Sequence, residues 1–281
     1  MKQIRGKQAV VTGAASGIGR ALALRLATEG VNLFLLDVDE IGLNEVVSET
    51  ISLGVETVGY QCDLARSEQI NNAATVIEQR WGGTDLLVNC AGVCWYGPTQ
   101  KITDDAWTRV LDINLHAPVQ LTRRLLPLML KRPVSHVLNM ASICGLVAGG
   151  RYAAYTVSKF GLVGFGDALR AEFNRSGLGV TTVCPGPVDT ALFDKTPCGH
   201  PHRKTPRPSR WICTTAERVA AKSVRGIFRN KRLVLVNPLA YILHYTQRFA
   251  PWLWDGLQSF GRRRSLKRKA VITPEQQRKA A

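Results

Sequence analysis

The stretch Gln8-Ala-Val-Val-Thr12-Gly13-Ala-Ala-Ser16-Gly17-Ile18-Gly19 decides the fold of this chain. Its first five residues form a short apolar run that ends at a glycine turn, which is typical of a buried strand. Residues 17–30 carry apolar side chains on one side, which predicts a helix. Gly13 permits the tight turn, while Gly17 and Gly19 let the backbone approach a phosphate at the helix N-terminus. A glycine-rich surface turn is the alternative, and the flanking strand and helix argue against it.

Asp37 ends the apolar run Asn32-Leu-Phe-Leu-Leu-Asp37, about 20 residues beyond the glycine loop, where dinucleotide-binding chains place an acidic residue. A carboxylate there can accept hydrogen bonds from both ribose hydroxyls of adenosine and repels a 2′-phosphate. The glycine loop contains no Arg or Lys. The pattern therefore predicts that NAD(H) is preferred over NADP(H). An N-cap role in the next helix is also open to Asp37, although Asp39 can serve as that cap instead.

Tyr155 and Lys159 stand four residues apart within residues 151–175, whose pattern predicts a helix. That spacing places both side chains on one face. A tyrosine with a pKa near 10 is a poor acid or base at neutral pH, but a neighbouring ammonium favours the phenolate and lowers that pKa. Ser142 follows the predicted strand 137–140 and offers a hydroxyl to a substrate oxygen. A tyrosine–lysine pair alone is more typical of a solvated helix face.

These residues stand in a longer series of motifs, through which the chain resembles the short-chain dehydrogenase/reductase family over roughly residues 4–240. The motifs occur in one order with the family's spacing, which makes a chance match very improbable. They are Thr12-Gly13-xxx-Gly17-x-Gly19, Cys62-Asp63-Leu64, Asn89-Cys-Ala-Gly92, Asn114, Ser142, Tyr155-xxx-Lys159 and Pro185-Gly-Pro-Val-Asp-Thr190.

The resemblance implies an enzyme that transfers a hydride between a nicotinamide cofactor and a secondary alcohol or ketone. It implies Tyr155 as the catalytic acid/base and Ser142 as the group that polarises the carbonyl. Lys159 is implied both to hold the nicotinamide ribose and to tune Tyr155. Asn114 is implied to position a water that links Lys159 to solvent.

The resemblance also implies a cofactor-binding set, in which Asp63 meets the adenine and Val188 and Thr190 meet the nicotinamide end. One departure is Cys90, which stands where the family usually has a second Asn, so we expect altered local hydrogen bonding without loss of activity. The complete predicted set is Gly13, Ser16, Gly17, Ile18, Gly19, Asp37, Asp63, Leu64, Asn89, Ala91, Gly92, Tyr155, Lys159, Pro185, Gly186, Val188 and Thr190.

Apolar runs that begin near residues 8, 32, 56, 86, 135, 179 and 232 alternate with helical patterns along the chain. This alternation predicts an α/β fold, a Rossmann-type doubly wound sheet of seven parallel strands in a single domain with a C-terminal helical extension. The chain has seven cysteines without a CxxC pair, which indicates free thiols in a reducing compartment and no metal site. The N-terminal residues lack the pattern of a signal peptide, and we expect a cytoplasmic protein.

The segment 193–213 after the Pro185-Gly186 turn is rich in proline and basic residues. In the family this segment covers the substrate, so we expect a long lid here. Val147, Trp95, Tyr96 and Phe193 are candidates for an apolar pocket wall, which favours a hydrophobic alcohol or ketone. Ordinary packing of the same side chains remains open.

The C-terminus divides into an apolar aromatic helical extension at 241–260, beyond a catalytic domain at 1–240, and a basic tail at 261–281. The extension includes Trp252, Trp254 and Phe260, and the tail contains the run Arg262-Arg-Arg-Ser-Leu-Lys-Arg-Lys269. Aromatic rings beside a dense basic run suit the anionic inner face of a membrane. Packing on the core or on another subunit is the competing interpretation, and nucleic acid is a less favoured partner.

Two further functional classes compete with the enzyme. One is a non-catalytic dinucleotide-binding sensor, which has no need of a tuned phenol and is therefore disfavoured by the set Asn114, Ser142, Tyr155 and Lys159. The other is a nucleic-acid or membrane adaptor built on the basic tail. The formal net charge of +16 owes much to the tail and the lid, so it says little about the cavity chemistry. We expect a homo-oligomer, a dimer or a tetramer, as is common in the family.

Overall fold

The computed structural model describes residues 1, 3–199, 204–253 and 256. In this part of the chain seven strands form one sheet, and every neighbouring pair is parallel. The strands are β1 (Gln8–Thr12), β2 (Asn32–Asp37), β3 (Thr57–Gln61), β4 (Leu86–Asn89), β5 (Ser135–Met140), β6 (Leu178–Cys184) and β7 (Leu233–Leu235). Their order is β3-β2-β1-β4-β5-β6-β7, which confirms the predicted fold class.

Helices cover both faces of the sheet. They are α1 (Gly17–Thr28), α2 (Glu40–Ser52), α3 (Ser67–Trp81), α4 (Asp104–Leu111), α5 (Ala117–Met129), α6 (Ala153–Phe173), α7 (Leu192–Lys195), α8 (Ala216–Phe228) and α9 (Pro238–Phe249). One apolar layer packs α1, α2 and α8 on the sheet and includes Leu22, Val46 and Val224. The other packs α3, α5 and α6 on the opposite face and includes Ile77, Leu125 and Leu169. Two buried layers explain why the strands are apolar along their whole length.

The strand order places a crevice at the carboxyl ends of β1 and β4. The chain runs outward from β1 through β2 to β3 and then crosses back to β4 on the other side of β1. At such a switch point the connections leave in opposite directions, and ligands of doubly wound sheets bind in the gap between them. The predicted glycine loop follows β1 and is therefore placed at this crevice.

The chain divides into two compact units, Met1–Ala240 and a second unit that begins at Tyr241. In the second unit the described aromatic residues include Tyr241, Phe249 and Trp252. Trp254, Phe260 and the basic run 262–269 lie outside the described residues, so the predicted division between an extension and a tail stays a prediction. Within the described part of the chain, no helix combines the length and the apolar character needed to cross a bilayer.

His136 lies fully buried on β5 and is the most deeply placed imidazole of the described residues. Its Nε2 is 2.9 Å from Thr181 Oγ1 on β6, and its ring packs against Gly179, where a Cβ would come within 2.2 Å of Nδ1. Burial lowers the pKa of His136 from 6.5 to about 3. The folded protein therefore keeps this ring neutral.

We expect the free energy of unfolding to fall as the pH drops from 6.5 toward 3. The unfolded chain takes up a proton on His136 below pH 6.5, whereas the folded chain does not, so acid favours unfolding. At pH 5 the contribution of this residue is a loss of about 2 kcal/mol. Urea unfolding of the wild type and of His136→Gln at pH 7 and pH 5 measures it. An equal fall in both proteins would assign the acid sensitivity to other groups.

Candidate active site

A cavity of about 510 Å³ opens at the carboxyl ends of the central strands. Most of the residues predicted from the sequence to bind the cofactor or to act in catalysis line it. They are Gly13, Ser16, Gly17, Ile18, Gly19, Asp37, Asp63, Leu64, Ala91, Gly92, Ser142, Tyr155, Lys159, Pro185, Gly186, Val188 and Thr190. The structure thus brings residues separated by up to 177 positions in sequence into one cavity.

The glycine loop between β1 and α1 is closely packed on its surroundings. Gly13 has φ of +69°, and a Cβ there would lie 2.7 Å from Ala91 Cα. A Cβ on Gly19 would lie 1.9 Å from the carbonyl oxygen of Gly13. Ser16 is the N-cap of α1, and its side chain makes no cap hydrogen bond. The free N–H groups at this helix end, the Ser16 hydroxyl and the bare glycine backbone suit a pyrophosphate.

The Asp37 carboxylate is fixed at the end of β2, beside the glycine loop. One oxygen accepts a hydrogen bond from Ala15 N at 2.9 Å, and the other accepts one from Asp39 N at 3.0 Å. Asp39, as the sequence allowed, caps α2 by accepting a hydrogen bond from Gly42 N. Arg20 on α1 does not line the cavity, and its guanidinium is paired with Glu49 through two hydrogen bonds.

Thr12 joins the ends of β1 and β4 beneath the cavity, a role that the sequence did not reveal. Its Oγ1 accepts hydrogen bonds from Cys90 N at 3.0 Å and Ala91 N at 3.1 Å, and it donates one to Val88 O at 3.4 Å. Cys90 lines the cavity, and burial raises the pKa of its thiol to about 12. The chain at Cys90 is thus held through its backbone, and the thiol stays protonated.

Asn89 and Asn114 are the two predicted residues that do not line the cavity, although Asn114 Oδ1 would lie 3.4 Å from a Cβ on Gly92, as Lys159 Nζ would. Asn89 Nδ2 donates to Asn139 Oδ1 at 2.9 Å and to Thr122 Oγ1 at 3.2 Å, which ties β4 to β5 and α5. These bonds use the Nδ2 group of Asn89, whereas its Oδ1 has no hydrogen-bond partner among the described residues, and the predicted cofactor contact of Asn89 stays a prediction.

Asn114 lies on a π-helical turn, Asp112–His116, between α4 and α5. Its Oδ1 accepts from Val93 N at 2.8 Å, and its Nδ2 donates to Val93 O at 2.9 Å and to Ser158 Oγ at 3.0 Å. These bonds fasten the loop after β4 to α6. A π turn inside a helical run is often found at functional sites, since the extra residue redirects one side chain.

Lys159 is buried on α6 with its ammonium facing the cavity. Nζ donates to Met140 O, the last carbonyl of β5, at 3.0 Å, and lies 5.6 Å from the ring centroid of Tyr155. Burial lowers the pKa of Lys159 to about 8. The side chain is still mostly charged at neutral pH, and its proximity to Tyr155 agrees with the predicted shared helix face.

Tyr155 differs from the expectation that Lys159 lowers its pKa. Burial raises the pKa of Tyr155, and the thiols of Cys144 and Cys94 raise it further, against a hydrogen bond with Ser142 that lowers it. The cost of burying a phenolate outweighs the attraction of an ammonium at this distance. The phenol therefore holds its proton at neutral pH.

Ser142 begins the loop after β5 in an extended conformation. Its Oγ accepts a hydrogen bond from Cys144 N at 3.1 Å, and the next residue, Ile143, donates through its N–H to Pro185 O at 2.8 Å. The loop after β5 is therefore tied to the loop after β6, so Ser142 stays beside Tyr155.

We call the part of the cavity bounded by Cys94, Cys144, Tyr152, Phe193 and Thr196 the substrate end. Of the four residues expected to form an apolar wall, Phe193 lines it, whereas Val147, Trp95 and Tyr96 do not. Trp95 instead packs with Val110 and Ala154. Cys94 and Cys144 form this wall in place of Val147, Trp95 and Tyr96. The sequence did not indicate either cysteine, because one follows β4 and the other follows β5, and only the fold brings them together.

The lid begins at α7 and is attached to the loop after β4. Tyr96 N donates to Pro197 O at 3.0 Å, and Gly199 N donates to Tyr96 O at 2.8 Å. Farther along, Val188 and Thr214 form a parallel bridge. The described parts of the lid are thus held by backbone hydrogen bonds at both ends.

Comparison with known proteins gives a consistent result. A family model described as short chain dehydrogenase matches residues 7–198. A putative ketoacyl reductase of Streptomyces coelicolor is 38% identical over 186 residues, which are 66% of this chain and 71% of the relative. A crystal structure of a short chain dehydrogenase/reductase from Burkholderia phymatum in complex with NAD superposes with a TM-score of 0.80 at 27% identity, covering 90% of this chain and 97% of the other.

A metagenomic short-chain oxidoreductase in complex with NADP gives a TM-score of 0.71 at 30% identity, with 84% of this chain and 98% of the other covered. Similar chains have thus been solved with either cofactor.

Proposed function

This chain belongs to the short-chain dehydrogenase/reductase family and is a nicotinamide-dinucleotide-dependent oxidoreductase of alcohols and ketones, and we propose that Tyr155, Ser142 and Lys159 perform that reaction. The observation that carries the proposal is the meeting of these three side chains in one cavity with the glycine loop. The same cavity contains Asp37, at the position suited to an adenosine ribose.

The proposed chemistry starts from the phenol of Tyr155, which holds its proton because burial raises its pKa. Tyr155 donates this proton to the substrate oxygen in reduction and recovers it in oxidation, while Ser142 donates a hydrogen bond to the same oxygen. When bound, the nicotinamide supplies or accepts the hydride. Lys159 holds a ribose hydroxyl, and Asn114 positions the loop at Val93 and α6 through three hydrogen bonds.

We propose that NAD(H) is preferred over NADP(H). The Asp37 carboxylate is held by two backbone N–H groups next to the glycine loop. A 2′-phosphate would bring two negative groups together there, and Arg20 is already paired with Glu49. Because charges interact more strongly in a cavity that is partly shielded from water, repulsion between the Asp37 carboxylate and the 2′-phosphate disfavours NADP(H).

The substrate end favours an apolar alcohol or ketone. Burial raises the pKa of Cys94 to about 12 and also raises that of Cys144, so both thiols are neutral and behave as small apolar groups. Phe193 adds an aromatic surface on the lid side.

The test is a screen of apolar secondary alcohols and ketones with both cofactors, followed by the absorbance of the reduced nicotinamide. Turnover that requires the cofactor and saturates with substrate is the expected result. Cofactor binding without turnover of any compound would favour the dinucleotide-binding sensor instead.

We also propose that the protein is cytoplasmic and forms homo-oligomers. All seven cysteines lie among the described residues and are free, which suits a reducing compartment. Val157 and Phe160 are three positions apart on α6, and both are exposed despite their size. An exposed apolar pair on a long helix suits contact with a second copy of the chain.

We further propose that the segment from Tyr241 binds anionic membrane surfaces. On the helical segment, Tyr241, Tyr245, Phe249 and Trp252 recur at spacings of three and four, and they expose 44%, 52%, 74% and 69% of their surface. Such rings suit a membrane interface. The run 262–269, which follows in sequence, contains six Arg and Lys among eight residues, and near an anionic leaflet each contributes on the order of 1 kcal/mol.

We expect the full chain to sediment with phosphatidylserine vesicles at low salt and not with phosphatidylcholine vesicles. A chain that ends at Gly261 should lose most of this binding, because it lacks the cations. Failure of the full chain to bind anionic vesicles at low salt would refute the proposal. Aggregation or a changed oligomeric state of the shortened chain would indicate a packing role for the C-terminal residues.

A further inference from the structure

Tyr152 stands directly before α6, three residues ahead of Tyr155, and both side chains line the cavity. The carbonyl of Tyr152 accepts a hydrogen bond from Thr156 N at 2.7 Å, which places it at the start of the helical path. Tyr152 is the N-cap of α6 and its backbone (φ −122°, ψ 34°) is not helical, so its placement near Tyr155 rests on the cavity that both side chains line. A substrate whose reacting oxygen meets Tyr155 is therefore within reach of Tyr152.

The ring of Tyr152 is held in position by Tyr96, whose ring centroid lies 4.9 Å away at an interplanar angle of 55°. Tyr96 itself is fixed on two sides. Its hydroxyl accepts a hydrogen bond from Arg151 Nη1 at 3.3 Å, and its backbone is bonded to the lid at Pro197 and Gly199. The Tyr152 ring therefore enters the cavity already oriented, so little conformational entropy is lost when it contacts a ligand.

The hydroxyl of Tyr152 has no hydrogen-bond partner among the described residues, unlike that of Tyr96. The groups that interact with it are the thiols of Cys94 and Cys144 and the phenol of Tyr96, and together with burial they raise its pKa. Cys94 and Cys144 are also the two thiols that raise the pKa of Tyr155 most. The two phenols thus share one small chamber with two weakly polar thiols, and the Tyr152 hydroxyl stays protonated as a donor.

Tyr152 is half-buried and lines the cavity, so its hydroxyl is open to a ligand that brings an acceptor into the cavity. We propose that Tyr152 determines specificity by donating a hydrogen bond to a second oxygen of the substrate. The preferred substrates are then ketones with a further carbonyl or ester oxygen one or two carbons from the reacting carbon, and the corresponding hydroxy compounds. The proposal rests on the proposed function of the same cavity and names its substrate class.

The test compares two ketone classes in the wild type and in Tyr152→Phe. The probes are cyclohexane-1,2-dione and ethyl 3-oxobutanoate, which have the second oxygen, against cyclohexanone and 2-hexanone, which lack it. The wild type should reduce the first class with the higher kcat/KM. Tyr152→Phe keeps the ring against Tyr96 and should lose about three- to tenfold in kcat/KM for the first class, the range expected for one neutral hydrogen bond.

The loss should appear in KM with little change in kcat, since the contact is remote from the reacting bond and is present in the ground state and the transition state alike. Values for cyclohexanone and 2-hexanone should change less than about twofold, because they offer no acceptor to Tyr152. Tyr96→Phe is the matched control. It removes the same atom from the neighbouring ring, but that ring does not line the cavity, so the ratio between the two ketone classes should stay at the wild-type value.

Three outcomes overturn the proposal while leaving the proposed function intact. In the first, the wild type has the higher kcat/KM for cyclohexanone and 2-hexanone. In the second, Tyr152→Phe lowers kcat/KM equally for both ketone classes. In the third, Tyr96→Phe changes the ratio of kcat/KM between the two classes as much as Tyr152→Phe does. An equal loss in both classes would mean that Tyr152 only shapes the pocket wall. A wild type that binds the cofactor and reduces no ketone of either class contradicts the proposed function itself.

Discussion

Tyr155→Phe should lower turnover by about 10²–10⁴-fold, the range in which general acid–base groups contribute. The phenylalanine ring keeps the packing of α6 against the cavity but has no proton to transfer. Dinucleotide affinity should change little, because the glycine loop and Asp37 lie on other elements. Single-turnover and steady-state assays of the reduced nicotinamide, together with a cofactor titration, separate the two effects.

Tyr96→Phe is the control for this experiment, since it removes a phenol oxygen from a ring that packs on Tyr152 and does not line the cavity. It should retain kcat, so a selective loss in Tyr155→Phe identifies the acid. Turnover near the wild-type level in Tyr155→Phe would remove Tyr155 from the mechanism. The folded state of each variant is checked by its thermal unfolding.

Asp37→Ala should shift the ratio of kcat/KM for NAD(H) and NADP(H) by about tenfold or more toward NADP(H). The wild-type carboxylate both accepts from the ribose hydroxyls and repels a 2′-phosphate, so its loss weakens one cofactor and relieves the other. A tenfold change corresponds to about 1.4 kcal/mol. Initial rates at saturating substrate, measured over a range of concentrations of each cofactor, give kcat/KM for NAD(H) and NADP(H) and hence their ratio.

Asp39→Ala provides the matched control, because it removes a carboxylate two residues later that caps α2 and does not line the cavity. It should lower the free energy of unfolding by about 1 kcal/mol without a comparable change in cofactor ratio. A wild type that prefers NADP(H) would show that a cation elsewhere in the chain overrules Asp37.

The sequence was sufficient for the fold because local patterns and the sheet agree. The glycine loop lies between a strand and a helix as predicted, and the strands begin within a residue of the apolar runs used to predict them. The alternation of strand and helix leaves few topologies once connections are short and right-handed. Helix ends were less accurate; α1 ends at Thr28, two residues before Gly30.

The electrostatics of the site were less predictable. The spacing of Tyr155 and Lys159 placed both on one helix face, but it carried no information about how deeply the phenol is buried. Burial depends on the loops after β4 and β5 and on the end of β6, which bring Cys94, Cys144 and Cys184 near the phenol. Tyr152 had a usable signal, since it lies three residues before Tyr155, but the cavity that both side chains line is visible only in three dimensions.

The hydrogen bond from Lys159 to Met140 gives the ammonium a structural role in addition to its proposed role in the reaction. The carbonyl that it occupies is the last of β5, buried at the edge of the cavity, and a buried carbonyl without a partner is costly. The side chain assigned to the reaction therefore also terminates a strand. No substitution at this position isolates chemistry from architecture, so the fall in activity of any Lys159 variant is an upper limit on what the ammonium contributes to the reaction.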